Sequence, residues 1–114
     1  MVALRGPLGA GKTTFVRAVV AALHGSDDAV SSPTFVFRQR YDGIPAIEHL
    51  DLYRIEDPER ELPELALDDA FAPDRIVLVE WPERAPDWLP PDHFDVGLDG
   101  IGEGPRTVRI VRPR

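Results

Sequence analysis

The residues best placed to do chemistry gather first at Gly6-Pro7-Leu8-Gly9-Ala10-Gly11-Lys12-Thr13-Thr14, which fills the pattern G-x-x-x-x-G-K-S/T. That pattern is the phosphate-cradling P-loop. Gly6, Gly9 and Gly11 permit backbone angles that a Cβ forbids, so that successive amides turn inward around an anion. The contacts to a bound nucleotide would come from Gly6, Leu8, Gly9, Ala10, Gly11, Lys12, Thr13 and Thr14. Lys12 would bring a point charge to the outer phosphates, and the Thr13 hydroxyl would ligate Mg²⁺. A helix starting near Thr13 would add its unpaired N–H groups and positive dipole end. A chance match in a chain this short is roughly a few per thousand, and the flanks argue further against chance. Val2-Ala3-Leu4 is a short apolar run before the loop, and Phe15 to Leu23 is a good helix after it. Twelve arginines serve the basic positions of the chain against one lysine, and that lysine is Lys12.

Three further positions are candidates for the chemistry. Arg75-Ile76-Val77-Leu78-Val79-Glu80 is the strongest strand signal in the chain, four apolar residues closed by an acid. That is the shape of a Walker B strand, whose carboxylate organises Mg²⁺ or the attacking water. The bland alternative is a solvated glutamate at a strand end. Asp51 ends a second strand, where open α/β sheets collect ligand-binding groups. It reads equally as a Mg²⁺ carboxylate and as a residue on the wet face of an alternating strand. Thr34 follows Ser31-Ser32-Pro33 on a loop after the first helix, where a threonine can sense a γ-phosphate and its metal. Taken alone, Ser-Pro-Thr is a turn, and only the P-loop raises its standing.

The elements that must hold these groups follow from the pattern around them. Met1 to Arg5 reads as a strand and Thr13 to Leu23 as the first helix, closed by Gly25 in a left-handed cap with His24 as a capping cation. Phe35 to Leu52 reads as a β-hairpin turning at Asp42-Gly43, with its return strand starting at Ile44. From Ile55 to Pro73 acids dominate, and Leu62, Leu65, Ala66 and Phe71 mark one or two short amphipathic helices whose charges form a solvated face, with partner binding the second reading. Trp81-Pro82 breaks the Glu80 strand. Trp88 and Leu89 are packing anchors in a Pro-rich connection. His93 to Leu98 and Arg106 to Arg112 alternate with period two, so they close the fold as an antiparallel hairpin with one dry face.

Composition sets the outer bounds. One domain of 114 residues accommodates a real core. A formal net charge of -7 argues against direct, phosphate-driven nucleic-acid binding. Without cysteine there is no disulfide, thiolate metal site or cysteine nucleophile. With no signal peptide and no apolar run that would span a bilayer, a cytoplasmic location is the default expectation.

GPLGAGKTTF, SSPTF, HLDLYR and LVEWPER, in this order and spacing, resemble the TsaE proteins, small P-loop ATPases of bacterial tRNA threonylcarbamoyladenosine biosynthesis. The likeness runs from the first strand to about Arg84 and is weaker in the C-terminal hairpin. It implies a small single-domain α/β P-loop NTPase with a mixed parallel and antiparallel central sheet and few flanking helices. It implies ATP and Mg²⁺ as cofactors, and hydrolysis that is weak alone and stimulated by partners. Those partners are the two companion proteins that make and transfer the threonylcarbamoyl group; tRNA is met only indirectly and a membrane not at all. By position Lys12 and Thr13 match the family's phosphate and Mg²⁺ contacts, Thr34 its switch-like threonine, Asp51 its Walker-B-like acid, Glu80 an acid near the metal, and Trp81 a tryptophan beside the nucleotide. Two departures stand out. The family carries a longer segment before the loop, including part of the adenine pocket, whereas here five residues precede Gly6. Its loop usually has Asp where this chain has Pro7, and proline removes one amide donor from the cradle.

Other function classes remain in view. A small-molecule kinase needs a lid and an acceptor pocket, for which the Arg-bearing strand from Phe35 to Tyr41 is the available lining. A non-catalytic nucleotide-binding adaptor needs only the cradle. A guanine-reading switch is excluded, because an Asn-Lys-x-Asp box requires an asparagine and a second lysine and the chain has neither.

Overall fold

Four short strands, two of them nearly continuous apolar runs, become the centre of one sheet, with helical segments packed on its faces. A computed structural model describes residues 1–7, 11–26, 38–99 and 107–112. In chain order the elements are β1 (Val2–Arg5), α1 (Lys12–His24), β2 (Arg38–Tyr41), β3 (Ala46–Asp51), α2 (Pro58–Glu61), a 3₁₀ turn (Leu62–Leu65), α3 (Leu67–Ala70), β4 (Arg75–Glu80), 3₁₀ turns at Pro82–Arg84 and Pro86–Trp88, β5 (Phe94–Asp99) and β6 (Thr107–Val111). The six strands form one sheet in the order β2-β3-β4-β1-β5-β6. Neighbours β3, β4, β1 and β5 run parallel, while β2 and β6 are antiparallel edges. This is the mixed α/β sheet that the resemblance to the TsaE proteins implies. Parallel strands are buried on both faces, which is why β4 reads as a continuous apolar run.

Two cores flank the sheet. On one face Val16 and Val20 of α1 pack on Leu4, Ile47, Leu78, Val96 and Leu98. On the other, Leu50, Val77 and Val79 are covered by Ile55, Leu62, Leu67 and Ala85 from the short helical segments. Trp88 and Leu89 pack against this second core as anchors. The alternation follows from the two-residue period of strands: Ile47, His49 and Asp51 face α1, while Glu48 and Leu50 face away.

Some boundaries moved from their expected places. The helix begins at Lys12 and ends at His24; Gly25 caps it at φ 81, donating its N–H to Ala21 O. His24 does more than cap: its Nε2 lies 2.6 Å from Pro45 O and ties α1 to the turn before β3. A side chain at Gly43 would meet that ring at 2.5 Å, so adding one would displace the His24 ring. The return strand starts at Ala46 rather than Ile44, because Pro45 offers no N–H to the ladder. The closing hairpin pairs as expected, but β5 also pairs in parallel with β1, and the expected dry face is found on β5 alone. Val96 and Leu98 are buried, whereas Val108 and Ile110, their partners on β6, stay 52% and 63% exposed, since α1 does not reach that edge.

Candidate functional site

The carboxyl ends of β1, β4 and β3 lie side by side, with Leu4 paired to Glu80 and Glu80 to Asp51. Whatever leaves these three strands meets at one edge, the place where open α/β sheets hold ligands. The chain leaving β1 enters the Gly6–Thr14 motif, and α1 begins one residue after Gly11. Gly11 is the N-cap at φ 99, an angle that disfavours any residue with a Cβ. Phe15 N–H donates to Gly11 O at 2.9 Å as the helix starts.

Lys12 is buried, 5% exposed, and its Nζ donates to Gly6 O at 2.7 Å. The same ammonium lies 3.5 Å from the centre of the Trp81 ring, a cation–π contact. Among the described residues no carboxylate lies within ion-pair distance of it. Burial pushes the Lys12 ammonium below its ordinary pKa, against the smaller upward pull of Glu80, Glu83 and Asp51. A desolvated cation held by a carbonyl and a ring, with acids close by, is the kind of perturbed group that functional sites gather.

Glu80 is 4% exposed at the end of β4, and its Oε2 bonds His49 Nε2 at 2.6 Å. Asp51, half-buried at the end of β3, accepts the Tyr53 N–H on Oδ1 at 3.0 Å. Burial raises the pKa of Asp51, the Tyr53 amide lowers it, and the neighbouring Glu80 charge raises it again. Trp81 follows Glu80 in the left-handed region at φ 58, a conformation costing a non-glycine residue about 1 kcal/mol. That turn swings its ring over Lys12 and against Tyr53, with centroids 4.9 Å apart. Arg84 stacks on the far side of the cluster, 5.6 Å from the Tyr53 ring centre.

The structure therefore brings together Gly6, Gly11, Lys12, Asp51, Glu80 and Trp81, which lie far apart in sequence. Thr13 is in the first turn of α1 beside Lys12, half-buried, and Thr14 next to it is exposed. Leu8, Gly9, Ala10 and Thr34 lie outside the described residues. Among the described residues no three His, Cys, Asp or Glu side chains cluster as a self-sufficient metal cage. The oxygens of Asp51, Glu80 and Thr13 are hard donors of the kind that Mg²⁺ takes.

His49 is the residue that sequence reasoning missed. The signal was available, since His49 and Asp51 are two apart on a strand and must share a face. What was missing was the β3–β4 register, which puts Glu80 within reach.

Comparison with known proteins follows the same residues. The sequence pattern of the family described as "Threonylcarbamoyl adenosine biosynthesis protein TsaE" matches residues 1–108. Proteins named tRNA threonylcarbamoyladenosine biosynthesis protein TsaE are 36% identical in Bacillus subtilis over 95% of this chain and 66% of theirs, and 41% identical in Haemophilus influenzae over 97% of this chain and 69% of theirs. The crystal structure of Bacillus subtilis YdiB superposes with a TM-score of 0.75 and 26% identity, over 99% of this chain and 68% of that one. The chain thus spans about two thirds of the length of these relatives, 66% in the first case. No helix among the described residues is long and apolar enough to cross a membrane. A motif that joins β1 to α1, two acids at adjacent strand ends and a family pattern spanning all three place the chain in the TsaE family.

Proposed function

We propose that this chain is the ATP-binding and ATP-hydrolysing subunit of the assembly that makes threonylcarbamoyladenosine in tRNA. The observation that carries the reading is the meeting of a desolvated Lys12 with Asp51 and Glu80 at the ends of three adjacent strands. In this reading the loop amides from Gly6 to Thr14 cradle the phosphates, and Lys12 neutralises the outer ones. Thr13 and Asp51 hold Mg²⁺, whose charge stabilises the leaving phosphate oxygens when it is bound. Glu80 orients the attacking water, Thr34 senses the γ-phosphate, and Trp81 lies beside the nucleotide. The net charge of -7 leaves the grip on tRNA to two companion proteins that make and transfer the threonylcarbamoyl group. Hydrolysis then resets that machinery in the cytoplasm, without passing a phosphoryl group to a substrate.

Reconstitution tests it. The companion proteins, tRNA and ATP are combined with this chain or with its Lys12→Ala variant, and modified tRNA is counted per transfer complex. Repeated cycles with the unchanged chain and arrest with the variant are expected. Equal turnover with and without the chain would remove it from the cycle and favour a kinase or an adaptor.

A further inference from the structure

Glu80 has two neighbours on the α1 face of β3. Asp51 stands directly across the ladder from it, and His49 is paired with Leu78, two residues before it. The diagonal neighbour makes the bond: His49 Nε2 to Glu80 Oε2, 2.6 Å, with side chains 3% and 5% exposed. A ring N–H donates and a carboxylate oxygen accepts, so the tautomer that makes this bond carries its hydrogen on Nε2. Asp51, directly across, makes its own bond to the Tyr53 N–H.

A buried carboxylate with free torsions would swing between its neighbours. Committing Oε2 to a ring that is itself locked in a packed strand leaves Oε1 in one orientation. Catalytic groups must be held to about half an ångström for their chemistry to benefit. The imidazole suits this role because it is rigid, flat, and buried where water does not compete for Oε2.

We propose that His49 is a positioning residue, fixing the Glu80 carboxylate so that its second oxygen is aimed at the reacting water or the metal's water shell. The proposal rests on the ATPase reading of the site. His49 touches neither nucleotide nor metal and acts through Glu80. It sets the rate of the chemical step and leaves ground-state nucleotide affinity alone.

Steady-state hydrolysis with the companion proteins and nucleotide affinity by calorimetry test this together. His49→Phe keeps the ring's bulk and loses the donor; a kcat lower by about 10–100-fold is expected, with nucleotide Kd within about twofold. His49→Gln carries an amide N–H to nearly the place of Nε2 and is expected to recover most of the rate, whereas the shorter His49→Asn is not. Should Phe prevent folding, the Gln–Asn split carries the same answer. Combining His49→Phe with Glu80→Gln is expected to be no slower than Glu80→Gln alone, since the two act as one unit. A fast His49→Phe, parallel losses of Kd and kcat, or additive losses in the double variant overturns the positioning role while leaving the ATPase reading intact. An unchanged chain that binds ATP with its companions and never hydrolyses it overturns both.

Discussion

Glu48 and His49 are consecutive in β3, both buried, and the two faces of the sheet treat them in opposite ways. Glu48 faces the short helices and is saturated. Arg38 donates to both its oxygens, Nε to Oε2 at 2.9 Å and Nη2 to Oε1 at 2.8 Å, and Arg75 Nη1 adds a third bond at 3.1 Å. Arg38 also reaches Leu65 O at 2.8 Å and Asp69 Oδ2 at 2.7 Å, so one guanidinium joins β2, β3 and the helical segment. Its pKa is driven up, chiefly by the Glu48 bond, as expected for a charge with its partners in place. On the α1 face the balance is left open. Among the described residues Lys12 is desolvated with no acid touching it, and Asp51 and Glu80 stand side by side. A closed network stabilises a fold and has nothing left to offer a ligand. Perturbed charges whose neighbours do not saturate them are what functional sites gather.

That contrast can be broken by experiment, and the largest effect is expected at the site. Glu80→Ala or Asp51→Ala should retain nucleotide binding while lowering Mg²⁺-dependent hydrolysis by about 100-fold or more; full activity in both, assayed with the companion proteins, would take them out of the site. Next comes stability on the other face. Glu48→Ala leaves Arg38 and Arg75 without their central acceptor and should cost about 3–5 kcal/mol by urea unfolding, with nucleotide Kd unchanged. A loss below about 1 kcal/mol would mean the network is ornamental.

Lys12→Met sharpens the comparison from the opposite side. Calorimetry should find nucleotide binding abolished, while thermal unfolding holds steady or rises. The folded chain keeps the Lys12 proton less tightly than the unfolded one, so removing the ammonium relieves a cost. A lowered midpoint would show that the contacts to Gly6 and Trp81 outweigh desolvation.

The smallest effect is a pH dependence confined to the network. The Arg38 hydrogen bond holds the Asp69 carboxyl below its usual value. A depressed carboxylate contributes stability above its unfolded pKa and loses it as pH falls through the folded value. The urea midpoint of Asp69→Asn should therefore lie slightly below that of the unchanged chain at about pH 6 and meet it near about pH 2. A gap that persists in acid would assign the difference to packing.

Local chemistry explains which parts were legible. Lys12 and its glycines announce a cradle because the motif's requirements sit within nine consecutive positions. The α1 boundaries and the Gly25 cap follow from helical period and one permissive residue. The β4 run reads as central because only a strand covered on both faces is apolar throughout. Pro45 is visible too, and its missing N–H accounts for the later start of β3. On β6 the alternation of Val108 and Ile110 promised a dry face, yet burial depends on what lies above, and α1 stops short of that edge.

By itself, then, the order of residues carried the P-loop motif, the apolar β4 strand and the acid at its end, since each depends on neighbours within a few positions. Tertiary structure alone decided that Glu80 would meet His49 rather than solvent, that Glu48 one residue earlier would be claimed by two arginines, and that Trp81 would lie on Lys12. Those outcomes depend on the β3–β4 register and the β2–β3 turn. A shift of one residue in either ladder would send every side chain to the opposite face.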